Sequence, residues 1–312
     1  VKQIADNATN KSSTTNYVTI GGVVYHRYGL YKFDYNKPTI TVSPGSATWK
    51  NSALSVNITH ADTGGSGLAS TSGEYFLSKS ASPTSVPTGS SLKGAYTSGT
   101  AFNINPGTSG EYYLWVKQIA DNATNKSSTT NYVTIVGVTY HRYGLYKFDY
   151  DRPTLTVSPG SATWRNSAVS VTVTHSDTGG SGLASTSGEY FLTTKDNSSP
   201  TAIPTQSNLK GTYTTTTGTA TISINPGTTG EYYLWVRQIA DSATNKSSTT
   251  NYKSIGGVTY HRYGLYKFDY DKPVWNYVSK DIYLTNPDDV GNDGYANASR
   301  TVKITIKGTD TH

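Results

Sequence analysis

The string YHRYGLYKFDY occupies residues 25–35, 140–150 and 260–270. Tyr140 follows Tyr25 by 115 residues and Tyr260 follows Tyr140 by 120, so the chain is a tandem array of long repeats. Other markers keep this register: TVSPGSATW at 41–49 and 156–164, and GEYYLWV at 110–116 and 230–236. The five extra residues of the second period fall in polar stretches near 195–199 and 214–218, where insertion is tolerated.

The repeats set the expected organisation. Residues 1–36 read as the C-terminal part of an earlier repeat, since VKQIADNATNKSS matches the end of a copy. Residues 37–151 and 152–271 read as whole repeats, and 272–312 as the N-terminal part of a further, divergent one. There NASRTVKITIKGTDT aligns with NSALSVNITHADT, whereas DKPVWNYVSKDIYLTNPDDVGND does not match. The array is therefore expected to continue beyond this chain.

Within a copy the apolar period is two, the mark of half-buried strands. Leu54, Val56, Ile58 and His60 share one face while Ser55, Asn57 and Thr59 share the other; Val169, Val171, Val173 and His175 repeat the pattern. Shorter strands are expected at 39–43, 74–78, 101–105 and 112–120. SPGS, DTGGSG, ASPTSVPTGSS and NPGTSGE separate them, supplying Gly, Pro, Asn and Asp where turns need them. Residues 131–150 are too long for one strand, and the Gly-containing steps at 21–22, 136–137 and 256–257 suggest a bulge or bend that splits off a Tyr-rich strand. The expected class is all-β, with tandem immunoglobulin-like β-sandwich repeats forming an elongated rod. Trp49 and Trp164 are expected in the core beside the inward residues of the alternating strand.

Composition agrees. Of 312 residues, 34% are hydrophobic and 15% charged, with 26 Tyr and 30 Gly, a texture of strands and turns. Cys and Met are absent, which excludes disulfides, thiolate metal sites and thiol nucleophiles. No apolar run is long enough to span a membrane. The net charge of +6 is spread singly along the chain, so nucleic acid is not an expected partner.

The Trp of ATW, the alternating strand leading into DTGGSG, then GEYYLWVKQIADNATNKSS and YGLYKFDYDRP together resemble tandem bacterial immunoglobulin-like repeats of large surface proteins. The resemblance covers nearly the whole chain and marks the fold rather than an active site. It implies an extracellular stalk or adhesive arm, held to the cell wall or cell surface through regions outside this chain; a glycan- or host-protein-binding repeat module, or the accessory region of a secreted carbohydrate-active enzyme, stays open beside it. Where that family often carries Ala-Gly-Asn, this chain reads Ala123-Thr124-Asn125.

Several residues are candidates for function. Asp62, Glu74, Glu111 and Asp121 recur as Asp177, Glu189, Glu231 and Asp241, but most adjoin turns whose N–H groups carboxylates satisfy, so catalysis is not expected. His60 and His175 are expected as hydrogen-bonded histidines at the core rim. Lys37 and Lys50 become Arg152 and Arg165, which argues against a self-made Lys–Asn amide; Gln118 and Gln238 remain candidates for an ester link. Tyr28 with Arg27, and Tyr143 with Arg142, are candidate contacts for a host glycan or surface protein, against the alternative that these tyrosines pack at the junctions between neighbouring repeats. In the expected topology three acidic segments meet at each junction: Asp34, Asn36, Asp62 and Asp121 for the first whole copy, and Asp149, Asp151, Asp177 and Asp241 for the second. Their oxygens either cap their own turns or hold a structural calcium. No other cofactor is expected.

Overall fold

The structure, a computed structural model, describes residues 1–275 apart from Asn7 and Thr14, together with Gly308 and Thr309. It divides into two compact units, Val1–Asp149 and Tyr150–His312. Among the described residues regular structure is all strand apart from two short 3₁₀ turns, and no helix is long and apolar enough to cross a membrane.

In the first unit a hairpin of β1 (Tyr17–Ile20) and β2 (Val23–His26) precedes a two-sheet sandwich. β3 (Thr39–Ser43), β4 (Leu54–Ala61) and β7 (Ala101–Ile104) form one sheet in the order β3-β4-β7. β5 (Ser72–Ser78), β6 (Lys93–Thr97), β8 (Gly110–Lys117), β9 (Tyr132–Ile135) and β10 (Val138–Phe148) form the other, ordered β6-β5-β8-β10-β9. Two packed antiparallel sheets with strands that return between them make an immunoglobulin-like sandwich.

The second unit repeats the pattern. β11 (Thr154–Ser158), β13 (Val169–Ser176) and β16 (Thr219–Ile224) form the smaller sheet; β14 (Ser187–Thr194), β15 (Lys210–Thr214), β17 (Gly230–Arg237), β18 (Tyr252–Ile255) and β19 (Val258–Phe268) form the larger, joined by β12 (Ala162–Arg165).

The core lies where the sequence alternation points. Val56 and Ile58 of β4 and Val171 and Val173 of β13 are buried, together with the inward faces of β8 and β17. Removing a side chain of this size from water is worth about 1.5–3 kcal/mol. After Pro44 the chain crosses from the smaller sheet to the larger: Ala47 N–H donates to Leu145 O (3.3 Å) and Lys50 N–H to Lys147 O (3.0 Å). Tyr146 locks this crossing, its hydroxyl donating to Pro44 O at 2.6 Å, as Tyr266 does to Pro159 O at 2.5 Å.

Two expectations are corrected. The glycine step is neither bulge nor bend: β9 and β10 pair antiparallel from Ile135↔Val138, making a tight hairpin. Val136 (φ 47°) and Gly137 (φ 77°) both take the left-handed conformation such two-residue turns require. The bulge sits further on, between Tyr143 and Tyr146, around Gly144.

Trp49 and Trp164 are not core residues. Trp49 is half-buried and Trp164 is 45% exposed, each with a lysine over its ring, Lys147 at 5.6 Å and Lys267 at 5.7 Å. The buried tryptophans are Trp115 and Trp235. They lie in a second apolar layer on the outer face of the larger sheet, packed with Phe76, Ile135 and Tyr140 in the first unit and with Phe191 and Tyr260 in the second. Val86 and Ile203, from the connections leading to β6 and β15, cover it.

In the remaining segment β20 (Val274–Trp275) pairs with β21 (Gly308–Thr309), Val274↔Thr309 and Trp275↔Gly308. By sequence alignment these are the counterparts of Thr39↔Ala61 and Ile40↔His60 between β3 and β4. The rest of the segment read as a divergent repeat, 276–307 and 310–312, lies outside the described residues.

Candidate functional site

At one end of the first sandwich three chain segments converge: the DYNKP segment before β3, the DTGGSG loop after β4, and the DNATN loop after β8. Asp62 organises the first loop, accepting the N–H groups of Gly64 (3.2 Å) and Gly67 (2.9 Å). Asp121, almost wholly buried, organises the second, accepting Asn125 N–H at 2.7 Å and the Asn125 amide at 2.8 Å. Asn122 Nδ2 donates to Ser66 O at 2.9 Å and ties the two loops together.

Asp34 comes from the segment matching the end of a repeat and is held by both loops. Its carboxylate accepts Ser66 N–H at 2.9 Å, and its carbonyl accepts Asn125 Nδ2 at 3.0 Å. A Cβ on Gly64 would stand 1.8 Å from the Asp34 carboxylate, so only glycine leaves room for this approach. The Ser66 side chain and N–H facing Asp34 hold its carboxyl below the usual carboxylate range.

Asp34, Asp62 and Asp121 each place a carboxylate oxygen within 4.8 Å of the others. Calcium–oxygen distances of about 2.3–2.6 Å separate opposed ligands by about 5 Å, so this donor set fits a calcium ion. Asn36 N–H donates to the Asp34 carboxylate at 3.0 Å.

The counterparts are Asp149 in the first unit and Asp177 and Asp241 in the second. Asp149 is fully buried; its N–H donates to Lys50 O at 2.8 Å, and its carboxylate accepts the Ser109 hydroxyl at 3.5 Å. Asp177 accepts Gly182 N–H at 2.8 Å, and Asp241 accepts Asn245 N–H and its amide, both at 2.7 Å. Asp151 is exposed.

Thr124 and Thr244 take φ of 70° and 72°. A β-branched residue is strained there. The aspartate and asparagine around each turn supply hydrogen bonds that hold it.

The remaining candidates have structural partners. His60 Nε2 meets the Tyr96 hydroxyl at 2.7 Å, and His175 Nε2 meets that of Tyr213 at 2.9 Å. Burial pushes both imidazoles below their usual range. Gln118 and Gln238 donate to Ser127 O and Ser247 O at 2.7 Å, bracing the loops that Asp121 and Asp241 cap. Glu74 pairs with Lys117 (3.2 Å) and Glu111 with Lys147 (2.8 Å); Glu189 pairs with Arg237 and Glu231 with two lysines.

Tyr143 and Arg142 do not form one ligand surface, because they face opposite sides of the larger sheet. Tyr143 lies between the sheets, its hydroxyl donating to Ile40 O at 3.4 Å, and burial pushes its pKa up to about 12. Arg142 lies outside, over the Tyr113 ring (4.9 Å), and donates to Ala81 O at 3.2 Å. Tyr28 and Arg27 are exposed; among the described residues of 1–36 the strand that covers Tyr143, β3, has no counterpart.

No protein-family model matches the chain, and no curated protein matches it. Among solved structures, a crystal structure of chicken CNTN1 FN1-FN3 domains is similar, at 12% identity over 64% of this chain, with a TM-score of 0.22. The chain covers 58% of that structure's length. The sandwich assignment rests on the strand pairing described above.

Proposed function

We propose that the chain is a non-catalytic segment of an extracellular stalk or adhesive arm of a bacterial surface protein, in which each repeat is fastened to the next by an aspartate from the preceding copy. The grip on Asp34 by Ser66 and Asn125 carries this reading, since it removes the freedom a linker would otherwise have. The turn-capping and ion-paired carboxylates support a non-catalytic role: each is engaged in a folding contact through at least one oxygen. Asp149 stands in sequence where Asp34 does.

Small-angle scattering of the whole chain tests this. We expect a narrow distribution of dimensions that broadens in Asp34→Ala; an equally broad distribution in both proteins contradicts the proposal.

The three clustered carboxylates favour a second reading of the same junction, in which calcium adds to the hydrogen bonds. Thermal melts with calcium and with a chelator separate the two. An unchanged midpoint leaves hydrogen bonding as the whole account, and a fall on chelation establishes the cation. Binding of a host glycan or protein is the alternative role, and a glycan array probed with the chain tests it.

A further inference from the structure

The open edge of the larger sheet carries an inference independent of the junction. β15 pairs with β14 on one side, and among the described residues no strand pairs with its other side. Thr215 N–H donates to Thr186 O at 2.8 Å, which fixes the alternation: Gly188↔Tyr213 and Tyr190↔Gly211 exchange ladder hydrogen bonds, while Glu189↔Thr212 and its neighbours do not. The N–H and C=O groups of Lys210, Thr212 and Thr214 therefore point outward along the free edge. In the first unit Ser98 N–H donates to Thr71 O (2.7 Å), which sets the same phase and turns Lys93, Ala95 and Thr97 outward. Neither edge strand contains proline.

Two clefts flank β15 and share Glu189 and Thr212. One, of about 440 Å³, reaches Lys210–Thr212 and is lined by Tyr190, Phe191, Ile203 and Tyr260. The other, of about 400 Å³, reaches Thr212–Thr214 and is lined by Ser185, Arg237 and Gln238. A cleft of about 380 Å³ lies at the matching place in the first unit, lined by Ser70, Glu74, Lys117 and Gln118. The two clefts on β15 are thus offset by about two residues, the spacing at which side chains of an extended strand return to one face. They hold two cations, Lys210 and Arg237, to one carboxylate, and Glu189 is already bound by Arg237 (3.3 Å) and the Tyr260 hydroxyl (3.2 Å).

We infer that this edge receives an extended, proline-free, acidic peptide segment of a partner protein by strand addition. Backbone groups at 210, 212 and 214 form the ladder, an apolar side chain enters the cleft over Phe191 and Ile203, and a carboxylate two residues away faces Arg237.

The test pans a random dodecapeptide display library against the intact chain and measures binding of the enriched peptides by fluorescence anisotropy. Sequences with an apolar residue and an acidic residue at alternate positions are expected. Ala95→Pro combined with Thr212→Pro removes only outward N–H groups, which edge strands tolerate. It should weaken binding at least tenfold while leaving the circular-dichroism melt unchanged. Should that variant unfold, Lys93→Glu with Lys210→Glu decides, with the same tenfold loss expected. Failure to enrich any peptide, or equal binding to the variants, overturns the inference. Sedimentation showing that the edge instead pairs two copies of this chain, abolished by the proline changes, overturns it as well.

Discussion

The backbone N–H of Ser66 donates to the carboxylate of Asp34 at 2.9 Å, across 32 residues of sequence. The donor lies in the loop between the two sheets of one sandwich, and the acceptor lies in the segment that enters it. A linker would ordinarily be free to swing, at an ordering cost of about 1–2 kcal/mol per residue when fixed. Here Asp62 and Asp121 fix the two loops whose donors face Asp34.

The tryptophans should separate by burial rather than by their place in the repeat motif. Trp235→Ala, in the outer apolar layer, is expected to cost about 3–5 kcal/mol. Trp164→Ala, at a residue 45% exposed with Lys267 over its ring, should cost no more than about 1 kcal/mol. Urea melts that give equal losses would place Trp164 in the core.

One difference between the two copies is a hydrogen bond to the buried tryptophan. Trp235 Nε1 donates to the Thr193 hydroxyl at 2.9 Å, whereas Trp115 Nε1 is buried without a partner and the equivalent Ser78 hydroxyl instead accepts Ser80 N–H at 3.1 Å. Threonine's methyl restricts its rotamers, so Ser78→Thr should turn the hydroxyl toward Trp115 and stabilise the first copy by about 1 kcal/mol. A thermal midpoint that stays the same or falls counts against this.

Thr124 and Thr244 store strain that glycine would release. Left-handed backbone costs an L-residue about 1–2 kcal/mol, partly offset by the greater freedom of glycine when unfolded. Thr124→Gly together with Thr244→Gly should therefore raise stability modestly, read as a higher urea midpoint with an unchanged slope. A lower midpoint would show that the threonine side chains hold the turns in place.

Acid should weaken the fold in two stages. Burial depresses His60, His141, His175 and His261 below the ordinary value of 6.5, so the unfolded chain takes up protons first as pH falls through that value. Stability should decline from about pH 6.5 downward and level off once the folded histidines also titrate. Asp34, depressed by Ser66, adds a second loss below the ordinary carboxylate value of 3.8. Denaturation at fixed temperature across pH 3–8 checks the sign; a fold that strengthens below pH 6.5 would contradict it.

The alternation of β4 and β13, the turn sequences and the repeat spacing were all legible, because each is a local pattern with a fixed period. β6 was not, since Lys-Gly-Ala-Tyr-Thr has glycine at its second position and no apolar alternation. The hairpin at Val136-Gly137 reads as a bend because valine rarely takes positive φ. Counting by twos misplaces the tyrosines of β10: the bulge at Gly144 turns Tyr143 and Tyr146 to the same inner face although they stand three apart. The convergence of Asp34, Asp62 and Asp121 follows from topology and was legible before any contact was known. The grip on Asp34 by Ser66 N–H and the glycine at 64 was not, because neither residue type announces a partner 30 residues away.

Amide hydrogen exchange at Ser66 tests the junction most directly. With Asp34 in place this N–H, in a polar surface loop, should exchange slowly, and Asp34→Ala should speed it by at least tenfold while amides of β4 and β8 stay protected. Rapid exchange in both proteins would show that Asp34 does not hold the loop, and that successive repeats are joined by a free linker.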